Sequence, residues 1–151
     1  MNIKLSTVLL LLVLSVTDAY LLAHPNLIGK IGILVYKHSY IKTFPKALVT
    51  VLLVVGISLL IAELLYRFTG YKKATLSYGV LLSISVFWFG YVFVTFSSFS
   101  YRITGKAFIY GAHLLPIILI GLFGRYLVKT QLHLRKKTEL ATSEDSKKMA
   151  S

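Results

Sequence analysis

The sequence lacks the residues on which most protein chemistry depends. It contains no cysteine, which excludes disulfide bonds, thiolate catalysis and cysteine-ligated metal. Only five of its 151 residues are acidic, and they form no carboxylate cluster. HExxH and GxSxG motifs are also absent. We therefore expect a protein that is not an enzyme and that holds no metal or other cofactor.

Negative charge is scarce, and apolar residues dominate. Charged residues make up 15% of the chain and hydrophobic residues 56%, which is too apolar for a soluble domain of this length and typical of membrane proteins. The formal charge of +12 could suggest a nucleic-acid partner. However, the basic residues lie between apolar runs and not on a soluble module, which favours attraction to anionic lipid headgroups and no nucleic-acid binding.

Four long apolar runs divide the chain. They cover residues of about 5–23, 47–66, 75–96 and 107–128. Each is close to the ~20 residues that a helix needs to cross the hydrocarbon core of a bilayer. None alternates in polarity as the strands of a membrane barrel do. The sequence predicts an all-α polytopic membrane protein, with a four-helix transmembrane domain over residues 1–128.

The first run has two interpretations. A basic start, an apolar stretch and the small-x-small sequence Thr17–Ala19 are typical of a cleaved signal peptide. Apolar character resumes after Ala19 and reaches Ala23, with the aromatic Tyr20 near the end, as expected of a retained span. Cleavage would remove this helix together with Asp18.

Lysine and arginine counts predict the orientation. If the N-terminus is cytoplasmic, eleven of the 17 basic residues lie on that side of the four spans and six on the other. Excess lysine and arginine marks the cytoplasmic side. We expect a bacterial cytoplasmic (inner) membrane protein with both termini in the cytoplasm, provided that the first helix is not cleaved.

Two segments lie outside the spans. In residues of about 27–42, apolar side chains recur at helical spacing over a stretch too short to cross a bilayer. This pattern favours a helix lying in the membrane interface, with a short helix folded over the mouth of the bundle as the alternative. Residues 129–151 form a basic and then polar cytoplasmic tail. We expect Arg135, Lys136 and Lys137 to contact lipid headgroups and the polar end to be disordered.

Ionisable residues inside the predicted spans are the main site candidates, because a charge there is costly. Glu63 lies four residues before Arg67. An ion pair along one helix face therefore explains the presence of Glu63 in the span without a further function.

Asp18 and His113 lie at similar depths in the first and fourth spans, at ~1.5 Å per residue from the predicted span ends. Pro116 leaves the carbonyl group of Ala112 without its helical donor. We predict a polar site formed by Asp18, His113 and this carbonyl group. The alternative is that a hydrogen bond between these groups only stabilises the packing of the helices and has no further function.

Aromatic and small residues add structural expectations. The run Phe87–Phe93 lies in the middle of the third span, where it faces lipid or the core, or lines a quinone or pigment cleft. Gly79 with Ser83, and Gly121 with Gly124, predict close helix contacts. Tyrosines near the span ends are expected to lie at headgroup depth; they are Tyr20, Tyr66, Tyr71, Tyr101, Tyr110 and Tyr126.

The sequence SFSYRITG, residues 98–105, resembles the S-x-x-H-R-x-T-G motif of succinate dehydrogenase cytochrome b subunits. Tyr101 stands where that family has histidine. The resemblance covers eight residues and only one span follows it, so we do not assign the chain to that family.

Two kinds of function fit these features. The first is an accessory or scaffold subunit of a larger membrane complex, either with other membrane-protein subunits or as a homo-oligomer. The second is a small proton-coupled transporter or channel that uses Asp18, His113 and Glu63. A pore-forming holin is a third and more distant alternative.

Overall fold

The chain folds into helices throughout the part that the structure describes. The computed structural model describes residues 5–24, 43–97 and 105–149. The helices are α1 (Leu5–Leu22), α2 (Phe44–Phe68), α3 (Tyr71–Ser97) and α4 (Lys106–Met149). Each contains a stretch long and apolar enough to cross a membrane, which confirms the all-α prediction and the four candidate spans. The predicted interfacial helix over residues 27–42 lies outside the described residues, as do residues 98–104 of the SFSYRITG motif.

Proline and glycine mark the ends of the helices. Pro45 lies in the first turn of α2, where its missing N–H group costs no helical hydrogen bond. Only Thr69 and Gly70 separate α2 from α3, and the Thr69 N–H group donates to the Leu65 carbonyl oxygen at 3.1 Å. Gly105 precedes α4 with a φ of 108°, a conformation that favours glycine. The turn between α2 and α3 is therefore tight.

The last helix is far longer than the apolar run that predicts it. It covers 44 residues and continues through Pro116 to Met149. The expectation of a disordered polar end is therefore wrong. Residues 129–149 contain neither glycine nor proline and include five lysines, three leucines and two glutamates, all good helix formers. We call residues 129–149 the α4 extension.

The four helices run antiparallel in sequence order, and α4 packs against each of the others. Its contacts with α3 and α1 are the most extensive, and α2 packs mainly against α1. At one end of the bundle the Arg125 guanidinium group donates a hydrogen bond to the Thr7 hydroxyl group. At the other end the rings of Tyr20 and Phe44 lie 6.4 Å apart. We call these the Thr7 end and the Tyr20 end.

Among the described glycines, the closest approach of a neighbouring helix lies at Gly111, which the sequence did not single out. A Cβ atom added to Gly111 of α4 would lie 2.9 Å from the backbone nitrogen of Leu22 in α1. At Gly79 the nearest atom to such a Cβ is 3.9 Å away, and at Gly121 nothing lies within 4 Å. A Cβ atom added to Gly79 or Gly124 would lie at ordinary van der Waals distance from a leucine of the facing helix, Leu127 or Leu82. The prediction of close contacts therefore holds at Gly79 and Gly124 only as ordinary packing, and it is wrong at Gly121, which faces open space.

Candidate functional site

Asp18 lies on the inward face of α1. The buried residues of this helix are Ser15, Asp18, Ala19 and Leu22, which share one side of the helix. Asp18 is fully buried, and neither carboxyl oxygen has a hydrogen-bond partner among the described residues. Ser15 differs, because its hydroxyl group donates to the Leu11 carbonyl oxygen at 2.7 Å. A buried polar group without a partner is costly, so Asp18 is the least satisfied side chain of the described bundle.

His113 lies in a different environment, between α3 and α4. Its ring is 5.8 Å from the ring of Phe89, and 6.0 Å from those of Phe93 and Phe96. Its Nδ1–H group donates to the Ile109 carbonyl oxygen at 2.6 Å, a tautomer that follows because a carbonyl oxygen can only accept. The ring lines an open apolar groove of about 330 Å³ near the Tyr20 end.

The structure therefore does not bring Asp18 and His113 together, and the predicted hydrogen bond between them is wrong. The helices that carry them are neighbours. However, Gly111 is the residue of α4 that lies against Leu22 of α1. Residues advance by about 100° around a helix, so His113, two positions later, points about 200° away from that contact. Pro116 is fully buried. No hydrogen bond joins Asp18 to the carbonyl group of Ala112, four residues before Pro116.

Glu63 is held by two partners at the Thr7 end. One carboxylate oxygen accepts a hydrogen bond from Arg67 Nε at 3.1 Å along the same helix, which confirms the ion pair predicted from the spacing. The other oxygen accepts from the Tyr126 hydroxyl group, also at 3.1 Å. Glu63 thereby links α2 to α4 and is a structural residue in this arrangement.

Tyrosines form the packing around Glu63. Tyr78 is fully buried, and its hydroxyl group donates to the Ala62 carbonyl oxygen at 2.6 Å. Its ring lies 5.6 Å from that of Tyr126, which is only 5% exposed. Tyr126 lies near the Thr7 end but points into the bundle; its expected headgroup depth stays a prediction. The sequence could not reveal this role, because whether a tyrosine near a span end points inward depends on its position around the helix.

The three basic residues predicted to contact lipid are divided between two faces of the α4 extension. Arg135 and Lys136 line one shallow groove together with Lys129, His133 and Glu139. Lys137 lines a second groove with the first residues of α3. All three side chains are exposed. The structure adds Lys72 and Lys73 beside Lys137, which the sequence interpretation did not include among the lipid contacts.

Within the described ranges, no three histidine or acidic side chains converge as a metal site requires. The three ionisable candidates lie apart: Asp18 in the α1 packing face, His113 in the groove between α3 and α4, and Glu63 at the Thr7 end. No family model, curated protein or solved structure matches the chain.

Proposed function

We propose that the chain is an integral membrane protein of the bacterial cytoplasmic membrane, with no catalytic activity of its own, that serves as an accessory or scaffold subunit of a larger membrane complex. The four helices long and apolar enough to cross a bilayer support its membrane location. The role as a subunit rests on one uncovered surface of α3.

This surface is the aromatic face of α3, which we define by Phe87, Gly90, Tyr91 and Val94. Phe87 is 80% exposed, Tyr91 65% and Val94 69%. Gly90 and Tyr91 each lie three or four residues from both Phe87 and Val94, so the four residues share one side of the helix. Among the described residues, the other helices leave this side of α3 open.

Two features suit this face to another helix. A Cβ atom added to Gly90 would meet nothing within 4 Å, so the backbone there is open to close approach, as in other membrane helix contacts. The Tyr91 hydroxyl group has no hydrogen-bond partner among the described residues and can donate to a polar group of a partner. Large aromatic side chains also dominate the energetics of protein interfaces. The occupant that we propose is an apolar helix of a different membrane subunit.

Cysteine cross-linking tests this proposal well, because the chain contains no cysteine of its own. We would introduce Val94→Cys in the aromatic face and cross-link in native membranes with a short bifunctional reagent that joins a thiol to a nearby amine or thiol. Val49→Cys is the matched control, since Val49 is 63% exposed on α2 and also lies toward the Tyr20 end. We expect an adduct with a larger protein from Val94→Cys and not from Val49→Cys.

The other outcomes are equally informative. An adduct containing two copies of this chain would replace the accessory role with a homo-oligomer. Equal adducts from both positions would show that cross-linking does not depend on the aromatic face, and no adduct from either would show that this face contacts lipid. The proposal would fail in both cases.

The alternative of a proton-coupled transporter receives less support. It needs ionisable groups that exchange protons along a shared path, and Asp18, His113 and Glu63 have no contact with one another among the described residues. Glu63 is also held by Arg67 and Tyr126. Proton flux in reconstituted vesicles that Asp18→Asn abolishes would favour the transporter over the subunit.

A further inference from the structure

A groove lined by lysines lies where α3 begins. Gly70, Tyr71, Lys72 and Lys73 form one wall, and Leu134, Lys137 and Thr138 of the α4 extension form the other, around a volume of about 690 Å³. We call it the lysine groove. Among the described residues, none of its three lysines forms an ion pair or a side-chain hydrogen bond. It therefore gathers three positive charges from two elements that lie more than sixty residues apart.

The walls of the lysine groove are fixed by ring contacts. The Tyr71 ring stacks on that of His133 with centroids 5.6 Å apart and an angle of 19° between the planes. The Lys129 ammonium group lies 5.1 Å from the centre of the Tyr66 ring. These contacts hold the α4 extension against the turn between α2 and α3.

Lys72 and Lys73 occupy an unfavourable place on their helix. They lie in the first turn of α3, which contains no acidic residue. The N-terminus of a helix carries partial positive charge and favours anions, so two lysines there repel both each other and the helix dipole. An anion in the lysine groove would relieve this repulsion and meet the free N–H groups of the first turn.

A second, apolar groove continues along the same two helices. Leu76, Gly79, Val80 and Ser83 of α3 line it together with Leu127 of α4, around about 530 Å³. Leu127 lies two helical turns before Leu134, and Leu76 one turn after Lys72, so both grooves follow one face of the α3 and α4 pair. This face is therefore cationic at the lysine groove and apolar along the second groove.

We propose that this face binds one anionic phospholipid, with its phosphate group among Lys72, Lys73 and Lys137 and an acyl chain along the apolar groove. The turn between two candidate spans lies at the membrane surface, which is where a lipid phosphate is found. Phosphate is the chemical group recognised, and the apolar groove selects a lipid over a soluble phosphate.

Native mass spectrometry of the full chain in mild detergent tests the site. We expect retention of phosphatidylglycerol over phosphatidylcholine with the same acyl chains. Lys137→Gln should weaken phosphatidylglycerol binding about fivefold, the equivalent of roughly 1 kcal/mol per charge. Lys46→Gln is the control, because Lys46 is exposed near the start of α2 at the Tyr20 end, away from the lysine groove; we expect a change of less than about twofold. Equal effects of the two substitutions would show that basic residues attract anionic lipid generally, without a specific site, and would overturn the proposal.

A double-mutant cycle tests whether both walls bind the same phosphate group. In a chain that already carries Lys72→Gln and Lys73→Gln, Lys137→Gln should have a smaller effect than in the unchanged chain. Independent effects would show that the two walls do not share a ligand.

Two further experiments distinguish a lipid phosphate from a soluble phosphate. Glycerol phosphate without acyl chains should fail to displace the lipid at equal concentration. Gly79→Leu, which fills the apolar groove, should weaken lipid binding, whereas Gly56→Leu on the exposed face of α2 should not. Equal competition by glycerol phosphate, or no effect of Gly79→Leu, would overturn the assignment to a lipid.

Discussion

The close approach of α1 to α4 at Gly111 makes a quantitative prediction for Gly111→Ala. The new Cβ atom would lie 2.9 Å from the Leu22 backbone nitrogen, 3.0 Å from Leu22 Cγ and 3.1 Å from Leu21 Cβ. Ordinary contacts between such atoms are about 3.5 to 4.0 Å, so the two helices must separate by roughly 0.6 Å or more. The nearest atom belongs to the backbone, and a rotamer change cannot remove the clash.

Two opposing effects set the size of the change. Inserting a methyl group into a packed contact typically costs about 1 to 3 kcal/mol. Replacing glycine by alanine inside a helix gains up to about 1 kcal/mol from helix propensity. Gly121→Ala separates the two effects, because it makes the same exchange in the same helix at an exposed site with nothing within 4 Å. We expect Gly111→Ala to be less stable than Gly121→Ala by about 1 to 3 kcal/mol.

The free energy of unfolding can be measured in mixed micelles with an increasing fraction of denaturing detergent. Circular dichroism and the fluorescence of Trp88, the single tryptophan, supply two independent readouts. If the two variants are equally stable, α1 does not lie against α4 as described. The same result is expected if α1 is removed as a signal peptide, and the mass of the intact chain distinguishes these explanations.

The remaining predictions concern Asp18 and topology. Asp18→Val should raise the free energy of unfolding by about 1 to 3 kcal/mol, because it removes a buried polar group that has no hydrogen-bond partner among the described residues. Ser15→Ala should change stability little. A loss of stability in Asp18→Val would show that the carboxyl group has a partner. For topology, a reporter fused after Ser151 should be cytoplasmic and one inserted near Lys42 external, and both reporters on one side would contradict four spans.

Helix positions could be predicted from the sequence because they depend on local properties. Apolar runs near the length of a membrane span predicted 5–23, 47–66 and 75–96, and the helices are Leu5–Leu22, Phe44–Phe68 and Tyr71–Ser97. The Glu63–Arg67 ion pair was equally predictable, since a spacing of four residues places two side chains together on any helix. The length of α4 was underestimated because hydropathy reports where a chain is apolar, whereas helix formation continues through polar residues that favour it.

The candidate site depended on rotation around each helix, which hydropathy does not contain. The depths of Asp18 and His113 follow from counting residues, yet one position along a helix turns a side chain by about 100°. Which side of α4 faces α1 was decided by the contact of Gly111 with the backbone of Leu22, and that contact turns His113 toward α3.

The sequence by itself determined four helices, the approximate ends of the first three and a strongly basic chain, because length, hydropathy and charge are properties of neighbouring residues. Only the tertiary structure decided that Tyr126 points inward to Glu63 and that Lys137 meets Lys72 and Lys73. These pairs lie more than sixty residues apart. They meet because antiparallel packing returns α4 to the end of the bundle where α2 ends and α3 begins, and the rotation of each helix is set by how all the side chains pack together.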